Sequence, residues 1–402
     1  MAVAIAWTLA LDATGSSGFQ GLADIGNSRL LATRLNRQVW RSADRGATWT
    51  QLSDLPIGAG AATSRILSMA TDECLVAVQN AAAGALHIYR TTDGGDNWTK
   101  VHDTVTGFTL TICHGFLQTG ASTVTAYGSF NPTLGGGSDY HFLTSGDRGA
   151  SWTPGSLINA TVAGSSVGGM ALVGSTFIAG QADFSAPPFV WTSGDQTTWT
   201  KVILPGNTAG TNANTWDLVA LSATAALATG GFINDSDIGP SPDHQVLWIW
   251  KTTDAGASWT RVPNASIASA PTDNVSAAAL IFLDTDIAVV GYGYTNDPEI
   301  GWRHTEDGGA TWAVNTGSLP PDATFYSPAQ MVFYNNNDGT GLLVSAAGWD
   351  EAASGGGEIW LGAVTGLPFE EDDQQDASSA VTPAVVHCSG AAFATKGCRQ
   401  RC

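Results

Sequence analysis

Short apolar runs recur along the chain in pairs, each pair split by a turn. Met170-Ala-Leu-Val-Gly is followed by Thr176-Phe-Ile-Ala-Gly, and Ala279-Leu-Ile-Phe-Leu by Ile287-Ala-Val-Val-Gly. Runs of this length, bounded by turn residues and rich in Val, Ile and Phe, predict buried β-strands. A longer loop then leads to a third strand with an aromatic residue, a polar turn and a tryptophan that starts a fourth strand.

The polar turn repeats six times as Ser/Thr, Asp, Gly and Trp. The copies are centred on Asp44, Asp93, Asp147, Asp195, Asp254 and Asp307, and end at Trp49, Trp98, Trp152, Trp199, Trp259 and Trp312. The fourth copy, Ser193-Gly-Asp195-Gln-Thr-Thr-Trp199, is one residue short and lacks the Gly. Asp can accept hydrogen bonds from nearby turn N–H groups, and Gly takes a positive φ without Cβ strain. The indole that follows is suited to packing between neighbouring sheets. The cassette is therefore structural. Its tryptophans lie 47 to 60 residues apart, and four strands per repeat at this spacing predict β-propeller blades.

Trp360, in Gly357-Glu-Ile-Trp-Leu, matches the third-strand aromatics Trp40, Tyr89, Trp191, Trp250 and Trp302, yet no cassette follows it. Ala6-Trp7-Thr8-Leu9 resembles Thr48-Trp49-Thr50-Gln51. The N-terminal strand is thus expected to close the last blade, giving an all-β, seven-bladed propeller, with six blades as the alternative. The propeller is expected over residues 1–366. Residues 367–402, with the acidic run Glu370–Asp376, are expected to form a linker and a tail that carries cysteines.

The cassette Ser/Thr-x-Asp-x-Gly-x-Thr/Ser-Trp resembles the Asp-box, or BNR repeat, of sialidases, xyloglucanases, sortilin-type receptors and a photosystem II assembly factor. The resemblance implies a propeller whose cassettes lie opposite the usual binding face. It also implies an extracellular or virion-surface location. The N-terminus, Met-Ala-Val-Ala-Ile-Ala-Trp, has neither a basic region nor a long apolar core, so it is not expected to act as a signal peptide.

Composition narrows the partners. The formal charge is −19, with 16 Lys and Arg against 35 Asp and Glu, which argues against nucleic acid or an anionic membrane. Only 13% of residues are charged while Gly numbers 48, a poor fit to coiled coil or disorder.

Binding is expected on the loops between strands two and three, and between strand four and the next strand one. The former contain Tyr127-Gly-Ser-Phe130-Asn131, Gln181-Ala-Asp183-Phe184, Phe232-Ile-Asn234-Asp235, Tyr294-Thr-Asn296-Asp297 and Trp349-Asp350-Glu351. Trp216-Asp217 and Phe325-Tyr326 are placed on the latter. An aromatic ring can stack on the apolar face of a sugar while a nearby amide or carboxylate takes its hydroxyls. The same residues could equally plug the channel and keep its rim soluble. The expected partner is a glycan or protein surface, bound without catalysis as by an adhesin, lectin or virion appendage. A glycoside hydrolase using Asp235, Asp297, Asp350 or Glu351 is the alternative, and an assembly scaffold is the third reading.

Other chemistry is sparse. A sialidase would need an arginine triad drawn from several blades, whereas Arg29, Arg34, Arg37 and Arg65 cluster early in the chain. No cofactor is expected. Asp235-Ser-Asp237-Ile-Gly239 resembles half of a calcium loop but has no acid at the twelfth position, Val246. Cys74 and Cys113 sit in apolar runs and read as buried thiols. Cys388, Cys398 and Cys402 match no zinc spacing and could support a disulfide or subunit contact through the tail.

Overall fold

A computed structural model of the chain describes residues 3–13, 18–58, 61–80, 85–103, 112–129, 142–155, 167–181, 188–205, 212–233, 245–262, 267–268, 275–283, 286–294, 301–314, 328–347 and 357–367. The described strands pair antiparallel into seven sheets, and the molecule is an all-β propeller. Blade 1 consists of Phe19–Asp24, Leu30–Arg34, Val39–Ser42 and Thr50–Gln51. Blades 2 to 6 follow contiguously over 61–103, 112–154, 167–203, 212–268 and 275–314. Blade 7 combines Pro328–Asn335, Thr340–Ala347 and Gly357–Thr365 with the N-terminal strand Ala4–Ala13. The first strand of each blade touches the first strand of the next, and Pro328–Asn335 returns to Phe19–Asp24, so the ring closes.

The closing strand repeats the register of the others. Trp360 lies opposite Leu9, two residues after Trp7, as Trp40 lies opposite Gln51, two residues after Trp49. Trp250 and Arg261 keep the same offset from Trp259. In blade 6 the equivalent position is Arg303, opposite Val314, so Trp302 sits one residue off the aromatic register expected for it.

Apolar side chains meet between blades. Each blade-to-blade interface holds its own cluster, and each cluster holds or is covered by one of the repeating indoles, from Trp7 between blades 6 and 7 to Trp312 between blades 5 and 6. Burial of apolar area, at roughly 25 cal/mol per Å², therefore holds blades to one another as well as strands within a blade.

The cassettes lock these interfaces from one end of the ring. The Asp147 carboxylate accepts hydrogen bonds from the Ser145 hydroxyl (2.8 Å), the Ser151 N–H (2.9 Å) and the Ser151 hydroxyl (2.6 Å). The Ser145 hydroxyl oxygen accepts the Gly149 N–H at 2.8 Å, and the Trp152 indole donates to the Gly149 carbonyl at 3.0 Å. Gly149 has φ 77°, and a Cβ there would stand 2.5 Å from Leu75 of the preceding blade. Glycine is needed both for the turn and for that close approach. The short fourth copy keeps the arrangement with Gln196 at φ 58°, whose carbonyl accepts the Trp199 indole. In the second copy Asn97 replaces Thr/Ser, and its side-chain amide donates to Asp93 at 2.8 Å.

Removing one such carboxylate should loosen a single interface. Asp307 accepts the Thr305 hydroxyl, the Thr311 N–H and the Thr311 hydroxyl. Asp307→Ala is expected to cost about 1–3 kcal/mol of unfolding free energy. Chemical denaturation checks this, and a change below about 0.5 kcal/mol would show the turn to be self-supporting.

Cys74 and Cys113 are buried free thiols, as expected. Burial pushes the Cys113 thiol up to about 12, so it is unreactive at neutral pH. No described helix is long and apolar enough to cross a membrane.

Candidate binding site at the channel neck

The first strands line the channel, and each carries an extra residue near its start. The pairing register slips between Phe19 and Gly21, Thr63 and Ile66, Cys113 and Gly115, Val167 and Met170, Thr215 and Asp217, Val275 and Ala277, and Pro328 and Gln330. A β-bulge bends its strand and re-aims the extra side chain. Gln20, Arg65, His114 and Gly168 at these bulges are only half-buried within otherwise buried strands, which fits an aspect onto the channel. The bulges form a collar near the end from which each first strand enters, away from the cassettes.

Behind the collar is a polar layer that ties blades together. The Gln330 side-chain oxygen accepts the Leu22 N–H of blade 1 at 2.9 Å, and its amide donates to the Ile66 carbonyl of blade 2 at 3.2 Å. Gly21 makes room for this: a Cβ there would lie 2.8 Å from Ile66. Asp217 holds the equivalent place after the bulge in blade 5. Its carboxyl accepts the Leu218 N–H at 2.9 Å and the Leu280 N–H of blade 6 at 3.2 Å.

The electrostatics of this layer are unusual for so acidic a chain. Burial pushes the Asp217 carboxyl up to about 7, against the opposing pull of the Leu280 N–H, the Arg65 guanidinium and the Leu218 N–H. Burial, with the Arg65 charge in support, lowers His114 to about 4. Arg65 donates from Nε to the His114 carbonyl at 3.2 Å. Burial raises the Tyr127 phenol, the Asp217 charge adding to it, and its ring fills the space over Gly115, where a Cβ would be 2.2 Å from the hydroxyl. The collar thus combines a guanidinium, an imidazole that burial holds neutral and a buried carboxyl that burial inclines to keep its proton.

Several sequence-based placements change. Tyr127 is a buried residue of the strand Val124–Ser129, not a loop residue. Phe232 and Tyr294 fall inside the strands Ala226–Ile233 and Ala288–Tyr294, because strand two runs further towards the loop than its apolar core suggests. Trp216-Asp217 belongs to the inner strand Asn212–Ala220 rather than a loop, and Asp217 is buried. Phe130, Asn131, Asp183, Phe184, Asn234, Asp235, Asn296, Asp297, Trp349, Asp350 and Glu351 lie outside the described residues, as do Phe325, Tyr326 and the three tail cysteines. The early arginines do not converge: Arg29 pairs with Asp72 at 2.6 Å at the cassette end, and Arg37 lies 3.5 Å from Asp54. No His, Cys, Asp and Glu cluster among the described residues could hold a metal ion. The collar itself went unread in the sequence. Its one visible trace is the glycine at or after the bulge in Gln20-Gly21, His114-Gly115 and Gly168-Gly169.

No family model matches the chain, and no curated protein matches it. Solved structures do. YCF48 bound to D1 peptide is similar with a TM-score of 0.55 at 13% identity, covering 89% of this chain and 97% of that one. YCF48 from Cyanidioschyzon merolae gives 0.51 at 14% identity, covering 89% and 98%. A GH93 α-L-arabinofuranosidase of Fusarium graminearum, in complex with arabinobiose, gives 0.48 at 15% identity, covering 76% and 92%. At these identities the likeness to the two YCF48 structures shows the fold and nothing finer.

Proposed function

We propose that this chain is a non-catalytic binding propeller of the Asp-box kind. Its ligand is a surface glycan or protein, taken on the face formed by the two-to-three and four-to-one loops around the collar. One observation carries the reading: the cassette aspartates are bound within their own turns, whereas the bulges re-aim polar side chains at the other end. That division leaves the loop face as the recognition surface. Aromatic residues near the ends of the second strands and in the segments that follow, with Asn or Asp close by in the sequence, suit a sugar or a peptide. YCF48, of the same fold, is seen bound to a peptide. An adhesin, lectin or virion appendage placed outside the cell is the corresponding role.

A glycan array and a panel of extended peptides test this. A hit is expected, weakened at least ~10-fold by Trp349→Ala or Tyr294→Ala. No hit, or binding unchanged in both variants, would count against the loop face. Release of reducing ends from a polysaccharide, lost in Asp297→Asn or Asp350→Asn, would establish a glycoside hydrolase instead.

A further inference from the structure

The closing strand differs from every other outer strand. It runs ten residues, Ala4–Ala13, whereas the fourth strands of blades 1 to 6 run two to five among the described residues. Four of those short strands carry Pro154, Lys100, Lys201 or Arg261, residues that protect an edge against further pairing. The stretch Val3–Leu11 has no charge and no proline. Among the described residues it pairs with one strand only, Gly357–Thr365. Ala4, Ala6 and Thr8 are exposed on one face and Ile5 and Trp7 are buried on the other, while Leu9 is 46% exposed.

We propose that two copies of this chain associate edge to edge through Ala4–Thr8, antiparallel about a two-fold axis at Ala6. In this register Ala6 faces Ala6 of the second copy, Ala4 faces Thr8 and Ile5 faces Trp7. These three pairs keep exposed residues opposite exposed ones and buried opposite buried, as a continuous sheet requires. Ile5 with Trp7 is a β-branched–aromatic pair, a favourable cross-strand combination. The arrangement is isologous, so one patch serves both copies. The shift in register after Leu9 ends the straight part of the edge and limits the ladder to this segment. The Glu306 carboxylate accepts the Val3 N–H at 2.8 Å, three positions from the axis, and Asp12 falls six positions from it, so the like charges of the two copies stand ~20 Å and ~40 Å apart. The general repulsion of two chains of net charge −19 is screened beyond ~8 Å at physiological salt.

The geometry has a consequence for binding. Antiparallel strands reverse the channel axis between copies, so the two loop faces point in roughly opposite directions. Such a dimer bridges two ligands on separate surfaces rather than gripping one surface twice.

Sedimentation velocity of the full chain across a concentration series tests the proposal, in reducing buffer so that the tail cysteines cannot bridge copies. The wild type is expected to move from one copy to two, at lower concentration as salt is raised. Ala6→Lys sets two ammonium groups opposite each other at the axis and is expected to weaken association more than ~10-fold, while circular dichroism and the Tm measured at concentrations where both proteins are single copies stay unchanged. A wild type that remains a single copy throughout overturns the proposal, as does an Ala6→Lys variant that associates normally. Should that variant misfold, hydrogen exchange of the wild type decides. Protection of the amides of residues 4–8 should rise with protein concentration, and protection independent of concentration overturns the two-copy ladder.

Discussion

Gln330→Met is expected to lower the unfolding free energy by about 2–6 kcal/mol, although it preserves length and much of the volume. The Gln330 side chain is buried and serves two other blades at once, accepting the Leu22 N–H and donating to the Ile66 carbonyl. A thioether can do neither well. Two backbone groups would remain in an apolar layer without partners, each costing about 1–3 kcal/mol. These bonds cross the point where the last blade meets the first, so the loss falls on ring closure itself. Equilibrium unfolding in urea, with the midpoint compared at constant m, measures it. A shift worth less than about 1 kcal/mol would mean that the blade 7–1–2 contact is held by apolar packing alone.

The second large effect is a hidden pH dependence in the collar. Asp217 keeps its proton up to about 7 in the folded chain, so its contribution is fully present below pH ~4 and is lost as pH rises through 7. At ~1.4 kcal/mol per pH unit this amounts to about 4 kcal/mol. His114 acts in the opposite sense. Its folded value of about 4 lies below the ordinary value near ~6.5, so its contribution is present above ~6.5 and lost as pH falls through 4. Its partial opening to the channel discounts this to about 2–3 kcal/mol. The two slopes nearly cancel between pH 4 and 6.5, and wild-type stability should be almost flat there.

Each single variant should unmask the other group. Asp217→Asn is expected to become more stable as pH rises from 4 to 6.5. The neutral-state histidines His87 and His102, whose values burial also lowers, add to that slope. His114→Gln is expected to lose about 4 kcal/mol between pH 4 and 7. Asp24, likewise raised by burial, contributes a slope of the same sign. Denaturation midpoints of the three proteins across this range give the answer. Parallel pH profiles would show that neither group titrates from within the fold. Below pH 4 the cassettes take over. The Ser151 hydroxyl and N–H hold Asp147 down to about 2, and Ser258 lowers Asp254 in the same way. Their stabilisation is therefore lost only in stronger acid.

The legible parts of the molecule were the local ones. The cassette is a contiguous hairpin whose Asp, Gly and Trp interact within a few residues, so its repeat spelled out the blades. The likeness of Trp7 to Trp49 predicted the closing strand, and both tryptophans do cover interfaces between blades. The ends of strand two were harder to place. Tyr127, Phe232 and Tyr294 stand beside polar loop residues, and a period-two pattern does not say where pairing stops.

What the amino-acid sequence determined unaided was the repeating hairpin, the all-β propeller and the need for the N-terminus to complete its last sheet, because each rests on contacts between near neighbours or on likeness to a recurring cassette. The tertiary structure alone decided the collar. Asp217 finds Leu280 63 residues away and Gln330 finds Leu22 308 residues away. A buried carboxyl or amide shows no periodicity of its own, and its meaning depends on which backbone groups the closed ring carries to it.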